Sequence, residues 1–527
     1  MKINTTRMLL SALFSTLAAT AHAAGTLVYC FEGSPAGFDS AQYTAVTDFN
    51  ATAGIFESLT AFKRGSTELV PALAEKWDIS EDGLVYTFHL RPGVKFHKTR
   101  FFTPTRDLNA DDVVYTFHRM MDKNHPFRKA YPSDFPYFTD MNMHKNLKSV
   151  EKVDDKTVRF TLNEVDASFL QSMAMMFASI YSKEYMEKLL ADGKPELLNQ
   201  QPLGTGPFVF ERYQKDAQIR YKANKDYWDK DNGPLLDNLI YAINKDAAVR
   251  AQKLKANECQ VMTVPSPMDV ERMKADPDLK VLSRPGFQVG YLHYNTEKEL
   301  LKKKEVRQAL DMALNKEIII KAVYGGQAKV AHNVIPESQW SYDETIRNRP
   351  QDVEKAKALL AQAGYPNGFE IRLWYSPLLP NGRLMAEMIQ ADWEKIGVKS
   401  KITTFEWGEY LKRGQKGEHD AIAVGWIGDN GDPDNWFGNV LSCHAIGGSN
   451  YSRFCYQPMQ ELVVKAKRVT DKEERVRIYK EVQKIVHEYM PVSPMSSPIV
   501  NVPMRKNVEG FMISPFGRLQ FNGVSLK

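Results

Sequence analysis

The chain has 527 residues, of which 43% are hydrophobic and 25% charged, with a formal net charge of +5. That length allows two to four domains at roughly 100–200 residues each, and a core large enough to fold without disulfides. Lys and Arg are dispersed, with no basic run longer than residues 302–304, so composition gives no electrostatic case for nucleic acid. The first segment reads as an address. Lys2 and Arg7 precede the apolar stretch 8–20, and Ala21-His22-Ala23 offers small residues where a signal peptidase cuts. Residues 1–23 are therefore expected to be a secretory signal peptide. No later stretch reaches the ~20 apolar residues of a membrane span. The mature chain is expected to be soluble, without membrane insertion, in an exported compartment.

In chain order, Thr26–Phe31 is β-branched and aromatic, a strand. Residues 32–43 are broken by Gly and Pro and read as a loop, and 48–59 as a short helix. Residues 75–79 and 85–90 form a hairpin around Ser80-Glu81-Asp82-Gly83. Residues 108–121 form a helix with Asn109 as N-cap and apolar positions at 113, 114 and 117. Residues 158–162 read as a strand and 166–176 as an apolar helix whose methionines fill core. Gly204-Thr205-Gly206-Pro207 is a turn at which the chain is expected to cross between lobes; no Gly-Lys-Ser/Thr follows, so it is not a phosphate loop. Helical patterns at 306–324, 350–363 and 384–396 alternate with strands at 291–294, 370–374, 399–405 and 421–424, which indicates an α/β fold. Residues 464–489 are charged and helical, read as one solvated helix or two.

Residues 424–437, VGWIGDNGDPDNWF, follow the apolar strand 421–424. Asp429, Asp432 and Asp434 lie there between Trp426 and Trp436. An acidic group between aromatic faces on a loop leaving a buried strand suits a cationic or amphipathic small molecule. The competing reading is an Asx-rich turn with solvated carboxylates. Four cysteines in an exported chain suggest two disulfides, and four allow three pairings. Short spacing favours Cys443 with Cys455, which leaves Cys30 with Cys259. His444 next to Cys443 raises a metal site, but no CxxC or HxxxH spacing supports one. Neither GxSxG nor HExxH occurs, and DNGDPD lacks the spacing of an EF-hand, so a secreted hydrolase is a distant alternative.

The hairpin stretch 69–97, followed by LNADDVVYTF, resembles the periplasmic peptide-binding proteins that serve peptide-importing ABC transporters (solute-binding protein family 5). The likeness continues through PLGTGPFVF, NECQVM, VGYLHYN, KEVRQALDMALNKE, EKAKALLAQAG and MAEMIQADWEKIGV. FEWGEYLKR and GWIGDNGDPDN point to its dipeptide-type branch.

The resemblance implies a type II periplasmic-binding-protein clamshell of two lobes with an inserted domain. Lobe I is expected from 24–55, 205–281 and 501–527, the inserted domain from 56–204, and lobe III from 282–500. It also implies both disulfides, Cys30–Cys259 and Cys443–Cys455. By that likeness Asp429 takes a peptide ammonium, and the backbone of Gly425, Trp426 and Ile427 extends the ligand as a strand. Trp407, Tyr43 and Thr44 are further candidates. Relatives place a carboxylate-clamping arginine before the MAEMIQADW helix; here that loop is shorter, and Arg383, which opens the helix, is the nearest candidate. Asp432 and Asp434 are expected to shape the turn. The implied partners are a short peptide and an inner-membrane ABC permease, with the chain a monomer, no cofactor and a periplasmic location. Relatives with modified pockets bind glutathione, haem or antimicrobial peptides. For haem, His332, His419 and His444 are the second-half histidines, none singled out by its setting.

Overall fold

The computed structural model describes residues 25–379 and 381–527; the expected signal peptide lies outside the described residues. Thr26–Phe31 forms in register with Asn238–Ile243 and, on its other side, with Val261–Met262. From there one mixed sheet runs through both halves of the molecule. Its order is Lys399–Thr403, Glu370–Trp374, Ala421–Ile427, Gln288–Tyr294, Val492–Arg505, Val261–Met262, Thr26–Phe31, Asn238–Ile243, Gln218–Ala223, Phe208–Gln214. Val492–Arg505 links the halves. Its first part pairs with Gln288–Tyr294 and its last with Leu279–Pro285. The expected boundaries at 281/282 and 500/501 therefore lie inside one paired pair of strands.

A separate antiparallel sheet, Ala74–Ile79, Val85–Leu90, Thr157–Leu162 and Leu147–Asp154, belongs to the segment 56–204. Helix Ala110–Met121 packs on it, started by a capping box in which Asn109 and Asp112 satisfy each other's backbone N–H groups. The two chain connections of this segment run side by side. Gly206 N–H donates to the Ile55 carbonyl at 2.9 Å and Phe208 N–H to that of Gly54 at 2.9 Å. A Cβ at Gly204 would stand 2.1 Å from the Ile55 oxygen, so only glycine lets these backbones approach. One core runs through residues of 27–261 and 502–524, and a second through residues of 292–495. Disulfides Cys30–Cys259 and Cys443–Cys455 are formed.

Some elements differ from expectation. The helix expected over 48–59 spans Val46–Thr52. Only Phe169–Ser172 of 166–176 is helical. The stretch after it is buried and bonds to neighbouring chain instead: Ser58 Oγ donates to the Met175 carbonyl and Ile180 N–H to that of Glu57. Its methionines, Met173, Met175 and Met176, are core, as expected. Residues 306–324 divide into Lys304–Met312 and Lys316–Tyr324, because Asn315 caps the second helix while its own N–H goes to Asp392. The charged stretch 464–489, expected as one helix or two, is two, Gln457–Arg468 and Lys472–Tyr489, the latter capped by Asp471. Among the described residues no helix is long and apolar enough to cross a membrane.

Candidate functional site

The strand expected to end at 424 continues to Ile427, because Gln288–Tyr294 pairs with all of Ala421–Ile427. Gly425, Trp426 and Ile427 are thus strand residues. On the opposite side, only Ala421 and Ile422 pair with a strand, opposite Leu373 and Trp374. From Ala423 onward that edge faces no strand, which leaves an extended backbone on which a peptide can align.

The loop then turns under tight packing. Trp436 is fully buried and meets the Phe287 ring edge-on at 4.8 Å. A Cβ at Gly428 would lie 2.0 Å from the Trp436 ring and 2.6 Å from Phe287. Gly428→Ala is expected to lower stability by about 1–3 kcal/mol, the usual cost of overpacking, read as a fall in thermal midpoint. Asn435 Oδ1 joins the two ends of the turn, accepting from Trp426 Nε1 at 2.7 Å and from Asp429 N–H at 3.3 Å.

Asp429 retains some solvent-facing surface, yet burial pushes its carboxyl pKa from 3.8 up to about 6. The Tyr137 hydroxyl, which donates to the carboxylate, and the nearby positive charge of Arg518 act in the opposite direction. These partners come from other parts of the chain. Tyr137 lies on the short helix Pro136–Asp140. Arg518 Nη2 donates to the Asp429 carbonyl at 3.2 Å, and its guanidinium lies 5.9 Å from the Phe49 ring and 5.6 Å from that of Phe516.

Asp432 and Asp434 do shape the turn, since Asp434 N–H donates to Asp432 Oδ1 at 2.9 Å. Neither is solvated. Asp432 is 1% exposed and is forked by Arg475 through two 2.7 Å bonds. Asp434 is buried, which raises its pKa, and pairs with Lys467 at 3.3 Å. Lys467 also reaches Asp166 at 3.5 Å. Beside it, Ala167 N–H donates to the Lys467 carbonyl at 2.8 Å and Arg468 pairs with Glu164 at 2.7 Å. The segment 164–167 thus closes over the end of helix Gln457–Arg468.

A cavity of about 740 Å³ opens next to this loop, lined among others by Tyr137, Asn142, Lys145, Trp426, Asp434 and Lys467. It shares Tyr137 and Trp426 with the Asp429 cluster, while Asp429 itself does not line it.

Of the other candidates, Arg383 is not brought to this group. It is 77% exposed and ion-pairs with Glu387 one helical turn on, at 2.8 Å. Trp407 is half-buried and stacks on Tyr410, whose hydroxyl donates to the Ala423 carbonyl at 3.0 Å, near the open strand edge. Tyr43 accepts from Asn199 at 2.6 Å, and Thr44 is exposed. His419 is buried against the Tyr451 carbonyl, His332 sits beside Asn348, and His444 lines the cavity. Among the described residues no group of three His, Cys, Asp or Glu is placed to hold a metal. Tyr137, Arg518, Arg475 and Lys467 are the residues that sequence reading did not single out.

Two lobes joined by shared strands, with a half-buried acid at the end of an open strand edge and a cavity between the inserted segment and the loop that follows that strand, define a binding protein of the clamshell class. Residues 68–448 match the family described as bacterial extracellular solute-binding proteins, family 5 middle, and the chain belongs to that family. It is 56% identical over 508 residues to di/tripeptide-binding protein 1 of Pseudomonas aeruginosa, covering 95% of this chain and 94% of that one. It is 48% identical over 506 residues to heme-binding protein A of Haemophilus influenzae, covering 95% and 92%. A solved dipeptide-binding protein from Pseudoalteromonas, in complex with Met-Leu, superposes with a TM-score of 0.86 at 34% identity, over 95% of this chain and all of the other.

Proposed function

We propose that this protein is the peptide-capturing component of an ABC importer. It takes di- and tripeptides between its lobes in the periplasm and delivers them to an inner-membrane permease. The observation that carries this reading is Asp429, an acid at the end of a strand whose edge is open from Ala423 to Ile427. A free peptide has an ammonium to pair with that acid and a backbone to lie along that edge. Affinity of this kind reads the main chain, so side chains of many types are accepted. The lobes are 24–55 with 205–281 and 501–527, and 282–500, with 56–204 inserted. Leu279–Pro285 and Val492–Arg505 form the hinge in this reading. The role requires no catalytic residue.

Native mass spectrometry of the exported protein, followed by denaturation, tests the proposal. A mixture of di- and tripeptide masses supports it. A single haem mass would redirect it to the second reading, which the likeness to heme-binding protein A favours; the cavity of about 740 Å³ is within the range that holds such ligands.

Binding should depend on pH. In the free protein Asp429 titrates at about 6, above its ordinary 3.8. Folding therefore favours its protonated form, a contribution fully present below about pH 4 and lost as pH rises through about 6. The peptide ammonium needs the ionised form, so affinity should fall about tenfold per pH unit below about 6. Above about 8 the peptide's own amino group loses its charge. The rise in thermal midpoint on saturation with a dipeptide should be larger at pH 7 than at pH 5, and Asp429→Asn should abolish that difference.

A further inference from the structure

We infer that Arg518 receives the carboxylate of the bound peptide, so that the ligand's two charges are held by different lobes: its ammonium by Asp429 and its carboxylate by a residue of the C-terminal segment. This deepens the peptide reading and rests on it.

The chain's fully buried arginines show what a guanidinium without a ligand role looks like. Arg119 forks Asp39 at 2.8 and 3.0 Å, and Arg475 forks Asp432. Arg307 is surrounded by the carbonyls of Leu301, Lys302, Tyr489 and Met490, and Arg250 by three carbonyls. In each, the Nη groups have partners that compensate the burial, although the Nε of Arg119 and of Arg250 has none. Arg518 is half-buried, makes a single 3.2 Å bond, to a main-chain oxygen, and does not fork the Asp429 carboxylate beside it, so donors of its fork remain open to a ligand. A guanidinium has five N–H donors in a fork that matches a carboxylate.

Its setting holds it ready for such a group. Phe49 and Phe516 pack around the guanidinium, and Phe516 packs in turn on Phe287, next to the strand that pairs with Ala421–Ile427. Burial works against the charge and lowers its pKa, while Asp429 works for it. A second anion would complete that compensation. The guanidinium touches the main chain of the residue whose side chain takes the ammonium, so the two charges fall within the span of a dipeptide, ~7 Å for two extended residues. Arg383, the arginine expected for this task, points its charge at Glu387.

Arg518 and Tyr137 lie beside Asp429. A zwitterionic ligand replaces that internal pairing at both ends and draws the two lobes onto itself. A ligand with only one of the charges leaves the other half of the pair without a partner.

The test is a thermodynamic cycle. Dissociation constants are measured for a dipeptide that binds the wild type and for its C-terminal amide, on wild type, Arg518→Met and Arg518→Lys. Wild type should prefer the free acid by tenfold or more, on the order of a hundredfold if the pair is fully desolvated. Arg518→Met should bring the ratio of the two constants close to one, and Arg518→Lys should keep part of the preference. The thermal midpoint of each free variant shows that it folds; if Arg518→Met does not fold, the ratio in Arg518→Lys must still fall below that of wild type. An unchanged ratio with both affinities reduced equally would overturn the inference and leave Arg518 as a support for Asp429. So would a wild type indifferent to amidation. A wild type that binds no peptide at all defeats the underlying peptide reading, and this inference with it.

Discussion

Replacing Asp429 with asparagine should weaken peptide binding by about 2–5 kcal/mol, between roughly thirtyfold and several thousandfold in Kd. The cost is this large because closure removes the ammonium from water, and a neutral amide leaves it without a counter-charge. The free protein should respond in the opposite sense. At pH 7 the ionised carboxylate is disfavoured by burial, as its pKa of about 6 indicates. Asparagine removes that penalty and keeps an acceptor for the Tyr137 hydroxyl. The thermal midpoint of unliganded Asp429→Asn should therefore match or exceed that of wild type. A general folding defect would lower both affinity and midpoint, so the pair of readings separates the two explanations. Retained affinity in this variant would remove Asp429 from the site.

Arg475→Met should destabilise the protein by about 3–5 kcal/mol, because it leaves Asp432 buried without its partner. Asp432 has no other route to solvent at 1% exposure, and both of its oxygens go to the guanidinium at 2.7 Å. Arg475 is further tied to the Ala466 carbonyl at 2.9 Å and lies over the Trp340 ring at 5.3 Å. Asp432→Asn in the same background should recover much of the loss, since the uncompensated charge is then gone; urea denaturation of the two single variants and the double variant measures the coupling. The same ion pair anchors the turn three residues beyond Asp429, so peptide affinity should fall in Arg475→Met at temperatures where it remains folded. Equal destabilisation by the single and double variants would show that the charge of Asp432 is not what Arg475 compensates.

Local chemistry made much of the fold legible. Thr26–Phe31 is β-branched and aromatic, and the strand has those bounds. Asn109 announced helix Ala110–Met121 because a side-chain cap is a property of a few adjacent residues. The stretch 166–176 misled for the opposite reason. Its apolar content has no helical periodicity to direct it, and the backbone of Met175 and Ile180 finds partners at Ser58 and Glu57, far away in sequence.

The site divides along the same line. Asp429, Trp426 and the turn are contiguous and were visible as an acidic, aromatic loop. What makes the loop a site is assembled from distant chain: Tyr137 from the inserted segment, Arg518 from the C-terminal one, Arg475 from helix Lys472–Tyr489. None carries a local pattern that sets it apart from other tyrosines or arginines. The solvated-turn reading of Asp432 and Asp434 failed because sequence gives turn propensity but not the cations that fold over it.

The most direct test of peptide capture by the amino end is a calorimetric titration of the ligand-stripped wild type with one dipeptide and with its N-acetylated form at pH 7. The account predicts that the free peptide binds and that acetylation, which removes the positive charge while keeping the backbone, weakens it by at least a hundredfold, within the range for loss of a buried charge partner. Equal affinity for the two forms would contradict the pairing with Asp429 and the peptide-capture role built on it.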